Sequence, residues 1–213
     1  MSIEKAYKIS TKKNNLLLRV VPGHFATSHS HLNYYIDITA QKTRLSEAKA
    51  IAEELLSYYA STTIVDTILC LDNTEVIGAC LADALTRSDF RNMNAHQTIY
   101  VLTPEHTSGS QLIFRESTAP MISGKHVLIL AASVATGYTA QAAVDAIKYY
   151  NGNVVGISAI FATVDECEGI PVTSAFNPKD LKGYASYPAH ECPMCKEGKK
   201  IDALVNCYGY SII

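Results

Sequence analysis

Residues 127–132 form an unbroken apolar run, Val127-Leu128-Ile129-Leu130-Ala131-Ala132. It passes through Ser133-Val134-Ala135 into a turn of small and hydroxylated residues, Thr136-Gly137-Tyr138-Thr139. An apolar run without alternation reads as a strand covered on both faces, the kind found inside a parallel sheet. A helical pattern follows over 140–150. Strand, tight turn and helix in that order aim backbone N–H groups and a helix N-terminus at whatever anion lies beyond the strand. Gly137 permits close approach of a ligand to the backbone, and Thr136 and Thr139 offer hydroxyl donors. The same spacing also suits an ordinary strand-to-helix turn with a threonine cap.

The flanking segments repeat the alternation. Strands are expected at 16–21 (stopped by Pro22-Gly23), 33–39, 64–71, 97–102, 111–116 and 153–161. Between them, Leu45, Ala48, Ile51, Ala52, Leu55, Leu56 and Tyr59 fall on one face of a helix over 44–59. A second helix is expected over 74–86, with Thr74 as its N-cap. Residues 103–110 read as a mobile loop. Beyond Val164, Pro and Gly recur and regularity drops until 203–207. Apolar strands alternating with helices predict an α/β fold with a mostly parallel central sheet flanked by helices, whose ligands bind beyond the carboxyl ends of the strands.

At 213 residues and 48% hydrophobic, the chain suits one domain with a large core. A formal charge of −2 gives no field that would favour nucleic acid. No apolar stretch reaches the ~18 residues needed to span a membrane, and residues 1–15 lack an apolar signal core. A cytoplasmic protein is therefore expected. Six cysteines are too sparse for a disulfide framework, so reduced thiols or a metal site are expected instead.

The run and turn at 127–139 resemble the phosphoribosyl pyrophosphate (PRPP) signature of the type I phosphoribosyltransferases: four apolar residues, two acidic residues, then a Thr-Gly-x-Thr turn. By that resemblance Ala135, Thr136, Gly137, Tyr138 and Thr139 cradle the 5′-phosphate. Ala131 and Ala132 stand where the acidic pair would hold the ribose hydroxyls, and they cannot make those contacts. Within the family, the orotate phosphoribosyltransferases are the most similar. Their N-terminal hood carries a Phe-x-x-Ser stretch followed by a Tyr-Ile-Asp strand, matched here by Phe25, Ser28, Tyr35, Ile36 and Asp37. His29 replaces the usual glycine. The resemblance places Phe25, Ser28, His29 and Tyr35 around a pyrimidine-like base. The plainer reading of Tyr34 and Tyr35 is strand packing, and His24, His29 and His31 suit a solvated loop as well as a ligand role.

Asp72-Asn73-Thr74-Glu75 resembles the family's pyrophosphate loop, with Mg²⁺ implied between its carboxylates and the diphosphate. The other reading is a polar helix start whose carboxylates complement the helix dipole. Residues 100–110, YVLTPEHTSGS, align with the flexible catalytic loop but carry no Lys or Arg, leaving His106 as the loop's candidate cation. Arg87 and Arg91 lie upstream as possible substitutes. The resemblance covers about residues 20–210. It implies one domain over 1–213, with a hood formed from about 1–40 and 164–213, and a homodimer.

His190-Glu191-Cys192-Pro193-Met194-Cys195 has zinc-like spacing, and Cys207 or Cys167 could complete a tetrahedral set with His190, Cys192 and Cys195. A tight Cys-Pro turn with reduced thiols fits the same residues. Similar Cys-Pro-x-Cys segments occur near the C-terminus of some relatives of the orotate enzymes.

Two functions follow. The first is transfer of phosphoribose from PRPP to a pyrimidine-like base with Mg²⁺. The second is a catalytically impaired sensor that binds PRPP or a nucleoside 5′-monophosphate. The partner in both is a small phosphosugar or nucleotide, with no nucleic acid or membrane. The discriminator is whether another carboxylate, Asp72 or Asp165, takes over at Ala131-Ala132.

Overall fold

The apolar run does form a strand covered on both faces. The computed structural model describes residues 6–10, 16–87, 89, 91–108 and 111–213. In chain order these form β1 (Tyr7–Ser10), β2 (Leu17–Ala26), β3 (His31–Asp37), α1 (Thr39–Thr43), α2 (Leu45–Tyr59), β4 (Thr67–Cys70), α3 (Glu75–Thr86) and β5 (Tyr100–Leu102). Then come β6 (Glu105–His106), β7 (Leu112–Ile113), β8 (His126–Val134), α4 (Tyr138–Tyr149), β9 (Asn153–Ala162), β10 (Glu166–Cys167) and β11 (Ile170–Phe176). The chain ends with β12 (Ser186–Tyr187), α5 (Pro193–Lys196), β13 (Ala203–Asn206) and β14 (Gly209–Ile212). These elements fall into two units: the described residues up to Ala40 with Asn177–Ile213, and Gln41–Phe176.

The larger unit is built on a sheet of order β10-β11-β9-β8-β4-β5, parallel throughout except for the β10 edge. Side chains alternate across it. Leu69, Val127, Ile129, Ala131, Ile157 and Ala159 pack with Ala143, Val144 and Ile147 of α4. On the opposite face α3 lies so close to β4 that a Cβ on Gly78 would strike Cys70 Sγ and approach Val101 at 3.2 Å. There Tyr59 of α2 places its hydroxyl 2.8 Å from Ser158 Oγ and 2.7 Å from Thr173 Oγ1. Burial pushes the Tyr59 hydroxyl's pKa upward, and its two hydroxyl partners oppose the rise.

The smaller unit is an antiparallel-rich sheet of order β12-β3-β2-β13-β14, with β1 also on β2. One apolar cluster in it joins Val21, Phe25, Tyr35 and Ala203, flanked by Ala6, Leu32 and Val205.

Three sequence expectations change. Pro22-Gly23 does not end β2. The strand continues to Ala26, and the register against β3 shifts between Pro22 and Phe25, so the pair is absorbed as a bulge. Helix α4 begins at Tyr138, ahead of the expected 140, because Gly137 at φ 79° turns the chain directly into it. Residues 170–176, expected to be irregular, form β11 inside the parallel sheet, since Pro171 pairs only with the edge strand β10. That places residues 164–176 with the larger unit rather than with the hood. No described helix is long and apolar enough to cross a membrane.

Candidate functional site

In the parallel sheet, β4 and β8 are neighbours with Cys70 opposite Leu130, so the chain leaving β4 at Asp72 runs beside Ala132. Both lie at the carboxyl edge of the strands, where open α/β sheets bind ligands. One step further along β8 comes the 136–139 turn. The first hydrogen bond inside α4 runs from the Gln141 amide to the Gly137 carbonyl at 2.8 Å. The amides of Tyr138, Thr139 and Ala140 therefore precede the helical ladder and face out along the axis. Thr136 and Thr139 are exposed. Behind the turn, the Thr163 hydroxyl donates to the Ala135 carbonyl at 2.6 Å, and the Thr163 amide donates to the Val134 carbonyl at 3.0 Å. Cys167 Sγ sits 3.7 Å from the Gly137 carbonyl, so this thiol backs the turn; it is not one of the ligand atoms that converge among the described residues. Thr163 was not singled out in the sequence. Only the strand's end, one residue past Ala162, hints at it.

The Asp72 segment is held in an unusual shape. Asp72 and Asn73 have φ of 57° and 62°, two consecutive left-handed residues without glycine. Each such residue costs of order 1 kcal/mol or more, and paired strain of this kind clusters at ligand-binding loops. Thr74 occupies the N-cap position of α3, but its hydroxyl donates backward to the carbonyls of Leu71 (2.8 Å) and Leu130 (3.0 Å). It is fully buried and makes no cap bond. Thr74 thus locks β4 to β8 and gives no hydroxyl to a ligand; Glu75 and Asn73 are exposed. The Asp72 carboxylate is aimed across the gap between the strands, where its Oδ2 accepts the Ala132 amide at 3.4 Å. Burial raises the Asp72 pKa, and the Ala132 amide, Lys42 and His106 each pull it back down. Lys42 Nζ also donates to the Asp72 carbonyl at 3.0 Å. Asp165, the other carboxylate considered, contributes its carbonyl to the Val172 amide at 2.9 Å.

The expected loop at 103–110 includes a small hairpin, β6 on β7; Gly109 and Ser110 lie outside the described residues. His106 is exposed. Just beyond the hairpin is a cation the sequence reading passed over: Arg115, whose guanidinium makes a two-pronged ion pair with Glu105. Arg87 is engaged elsewhere, by Glu53 at 2.6 Å and Asp83 at 3.2 Å, and Arg91 pairs with Asp89 at 3.2 Å.

This arrangement has counterparts of known structure and name. No family model matches the chain. An orotate phosphoribosyltransferase of Chlorobium phaeobacteroides is 27% identical over 187 residues, 86% of this chain and 88% of that protein. One from Sulfurimonas denitrificans is 28% identical over 196 residues, 85% of this chain and 90% of that protein. Among solved structures, Mycobacterium tuberculosis orotate phosphoribosyltransferase in complex with PRPP superposes with a TM-score of 0.52 at 15% identity, over 70% of this chain and 83% of that one. Adenine phosphoribosyltransferase from Leishmania donovani gives 0.51 at 15% identity, over 76% and 78%. The chain has the type I phosphoribosyltransferase fold.

In this phosphoribosyltransferase fold the smaller unit carries the residues matched to the hood. Phe25 and Tyr35 are only 4% and 8% exposed, with rings 5.9 Å apart, and Tyr210 packs on Tyr35 at 5.1 Å. Burial pushes the Tyr35 hydroxyl pKa up to about 12, and the charge on Asp37 adds to the rise. Both rings are core residues of that unit. Ser28 and His29, by contrast, are exposed on the β2–β3 turn. Thr27 Oγ1 organises this turn by accepting the amides of Ser30 (2.8 Å) and His29 (3.2 Å).

The cysteine cluster differs from the expected set. Cys192 and Cys195 do converge, but with His24 and His31 as neighbours: the four ligand atoms lie within 4.8 Å of one another. His190 instead points its Nε2 at Glu191, 3.2 Å away, in an exposed pair. Cys207 sits in the turn between β13 and β14. Proximity in sequence favoured His190; strand pairing brings in the two histidines of β2 and β3.

Proposed function

We propose that this chain binds PRPP, or a nucleoside 5′-monophosphate, and transfers phosphoribose to a pyrimidine-like base, orotate by analogy with its relatives. The observation that carries the reading is the Asp72 carboxylate, held against the Ala132 amide at the carboxyl edge of the sheet. It supplies an acidic group beside Ala132, one of the two positions where the resemblance implies an acidic pair.

The amides ahead of α4 and the hydroxyls of Thr136 and Thr139 bind the 5′-phosphate, helped by the positive end of the helix. Asp72 accepts hydrogen bonds from the ribose hydroxyls. His106 approaches the diphosphate as it departs, when the bond from the anomeric carbon to diphosphate breaks and one to a ring nitrogen of the base forms. By the resemblance, Ser28 and His29 are the exposed residues of the smaller unit that would meet the base. The donor set also fits Mg²⁺, which takes one or two carboxylates and completes its shell with substrate phosphates and water: Asp72 would hold it, with Glu75 nearby in sequence. Bound there, the ion would neutralise diphosphate charge. None of the six cysteines forms a disulfide, which suits a reducing cytoplasm.

The test is diphosphate release from PRPP and Mg²⁺ with a panel of bases that includes orotate. Release with one base supports transfer. The Glu105–Arg115 ion pair, which engages a cation just beyond the loop in sequence, favours a second reading, a sensor that binds without turnover. PRPP binding with no diphosphate released by any base would select it.

A further inference from the structure

Four side chains in the smaller unit have no role in that reaction. His24 lies on β2, His31 opens β3, and Cys192 and Cys195 flank the start of α5 and its last turn. His24 and Cys192 are completely buried, whereas Cys195 is exposed. The separations are 3.1 Å for His24 Nε2 to His31 Nδ1, 3.5 Å for Cys192 Sγ to His24 Nε2, 3.6 Å for Cys195 Sγ to His24 Nε2 and 3.2 Å for Cys195 Sγ to His31 Nδ1. A regular tetrahedron with Zn–N of ~2.05 Å and Zn–S of ~2.3 Å has edges of about 3.3 Å between nitrogens and about 3.6 Å between nitrogen and sulfur. All four observed edges fall within about 0.4 Å of those lengths.

The surroundings prepare the ligands as well as the spacing does. The other ring nitrogen of His24, Nδ1, lies 2.9 Å from the Lys199 carbonyl and 3.2 Å from that of Lys200. Two carbonyls can only accept, so Nδ1 carries the proton and Nε2 is left with its lone pair directed into the cluster. This is the outer-shell arrangement that fixes a metal-binding imidazole. The backbone of His24 is fixed in turn by Asp202: its amide donates to Asp202 Oδ2 at 2.8 Å, and its carbonyl accepts the Asp202 amide at 2.7 Å. Around the Cys-Pro-Met-Cys turn, the Lys196 amide reaches back to the Cys192 carbonyl at 3.2 Å, and Gly198 at φ 73° reverses the chain.

We propose that His24, His31, Cys192 and Cys195 bind one structural Zn²⁺. Two thiolates and two neutral imidazoles exactly balance its charge, which suits a buried position, and a mixed sulfur and nitrogen tetrahedron selects zinc over the harder divalent ions. Binding displaces the two thiol protons to solvent. All four positions are taken by protein, so the site is closed and structural rather than catalytic. It staples β2 and β3 to the C-terminal segment, across the 168 positions of sequence that separate His24 from Cys192.

The test is elemental analysis of the full chain purified without chelator or added metal. About one zinc per chain is expected, retained in Cys207→Ser and His190→Ala and lost in His31→Ala and Cys195→Ser. Because a variant can lose metal by failing to fold, wild-type protein stripped of metal is also titrated with Co²⁺. One equivalent should give tetrahedral visible bands with thiolate charge transfer, and Zn²⁺ should displace them. Zinc at full occupancy in both ligand variants would overturn the proposal. So would wild-type protein that contains no zinc and develops no such bands.

Discussion

Asp72 sits in a place that is expensive to maintain. The residue is half-buried, its backbone is left-handed, and so is that of Asn73. Burial raises its pKa, so the folded state binds a proton more tightly than the unfolded chain does. The sign follows from linkage: Asp72 leaves stability untouched below the ordinary aspartate range and lowers it as pH rises through the raised folded value. Asp72→Asn should therefore melt at a higher temperature than wild type near neutral pH, with the gain vanishing in acid. The same variant should lose about 10²-fold or more in turnover, the usual cost of deleting a preorganised charged contact in a reaction site. Thermal melts across pH, paired with rates, check both halves. A variant that is less stable at neutral pH, or as active as wild type, contradicts the role.

At the scale of elements, the phosphate turn depends on what stands behind it. The Thr163 hydroxyl holds the Ala135 carbonyl, and Gly137 supplies the left-handed residue that starts α4. Thr163→Val keeps the shape of the side chain but removes that donor. It should weaken PRPP binding several-fold while costing about 1 kcal/mol of stability, which titration calorimetry and denaturant melts resolve separately. Gly137→Ala meets only Cys167 Sγ at 3.5 Å, so its cost of about 1–2 kcal/mol comes from φ rather than from crowding. On the far face of the sheet, Tyr59→Phe should cost about 1 kcal/mol and leave binding unchanged, because Ser158 and Thr173 can still bond to each other at 3.0 Å. The strand–turn–helix at 127–149 was legible because an apolar run, a glycine and an amphipathic pattern are local signals. The reach of Asp72 to Ala132 was not: it depends on β4 and β8 being neighbours, a pairing made across 60 positions of sequence. The Zn²⁺ proposal shows the same limit. The Cys-x-x-Cys spacing announced itself, whereas His24 and His31 reach the thiols only through the folding of a distant C-terminal segment onto β2 and β3.

At the scale of the whole molecule, the parallel sheet of the larger unit collects the 136–139 turn, the strained Asp72 loop and the β6–β7 hairpin along one edge, as the order of its strands requires. The hood pattern was less transparent. Phe25 and Tyr35 matched a motif, but aromatic residues on strands serve as core as readily as they serve a ligand, and here both are buried. Whether Asp72 and the 136–139 turn together hold PRPP is decided by calorimetric titration of the full chain with PRPP in the presence of Mg²⁺, run beside Asp72→Asn. One saturable site per chain is expected, competed by ribose 5-phosphate and weakened by the substitution. No binding of PRPP to folded wild-type protein, or binding of equal strength in Asp72→Asn, would contradict that expectation.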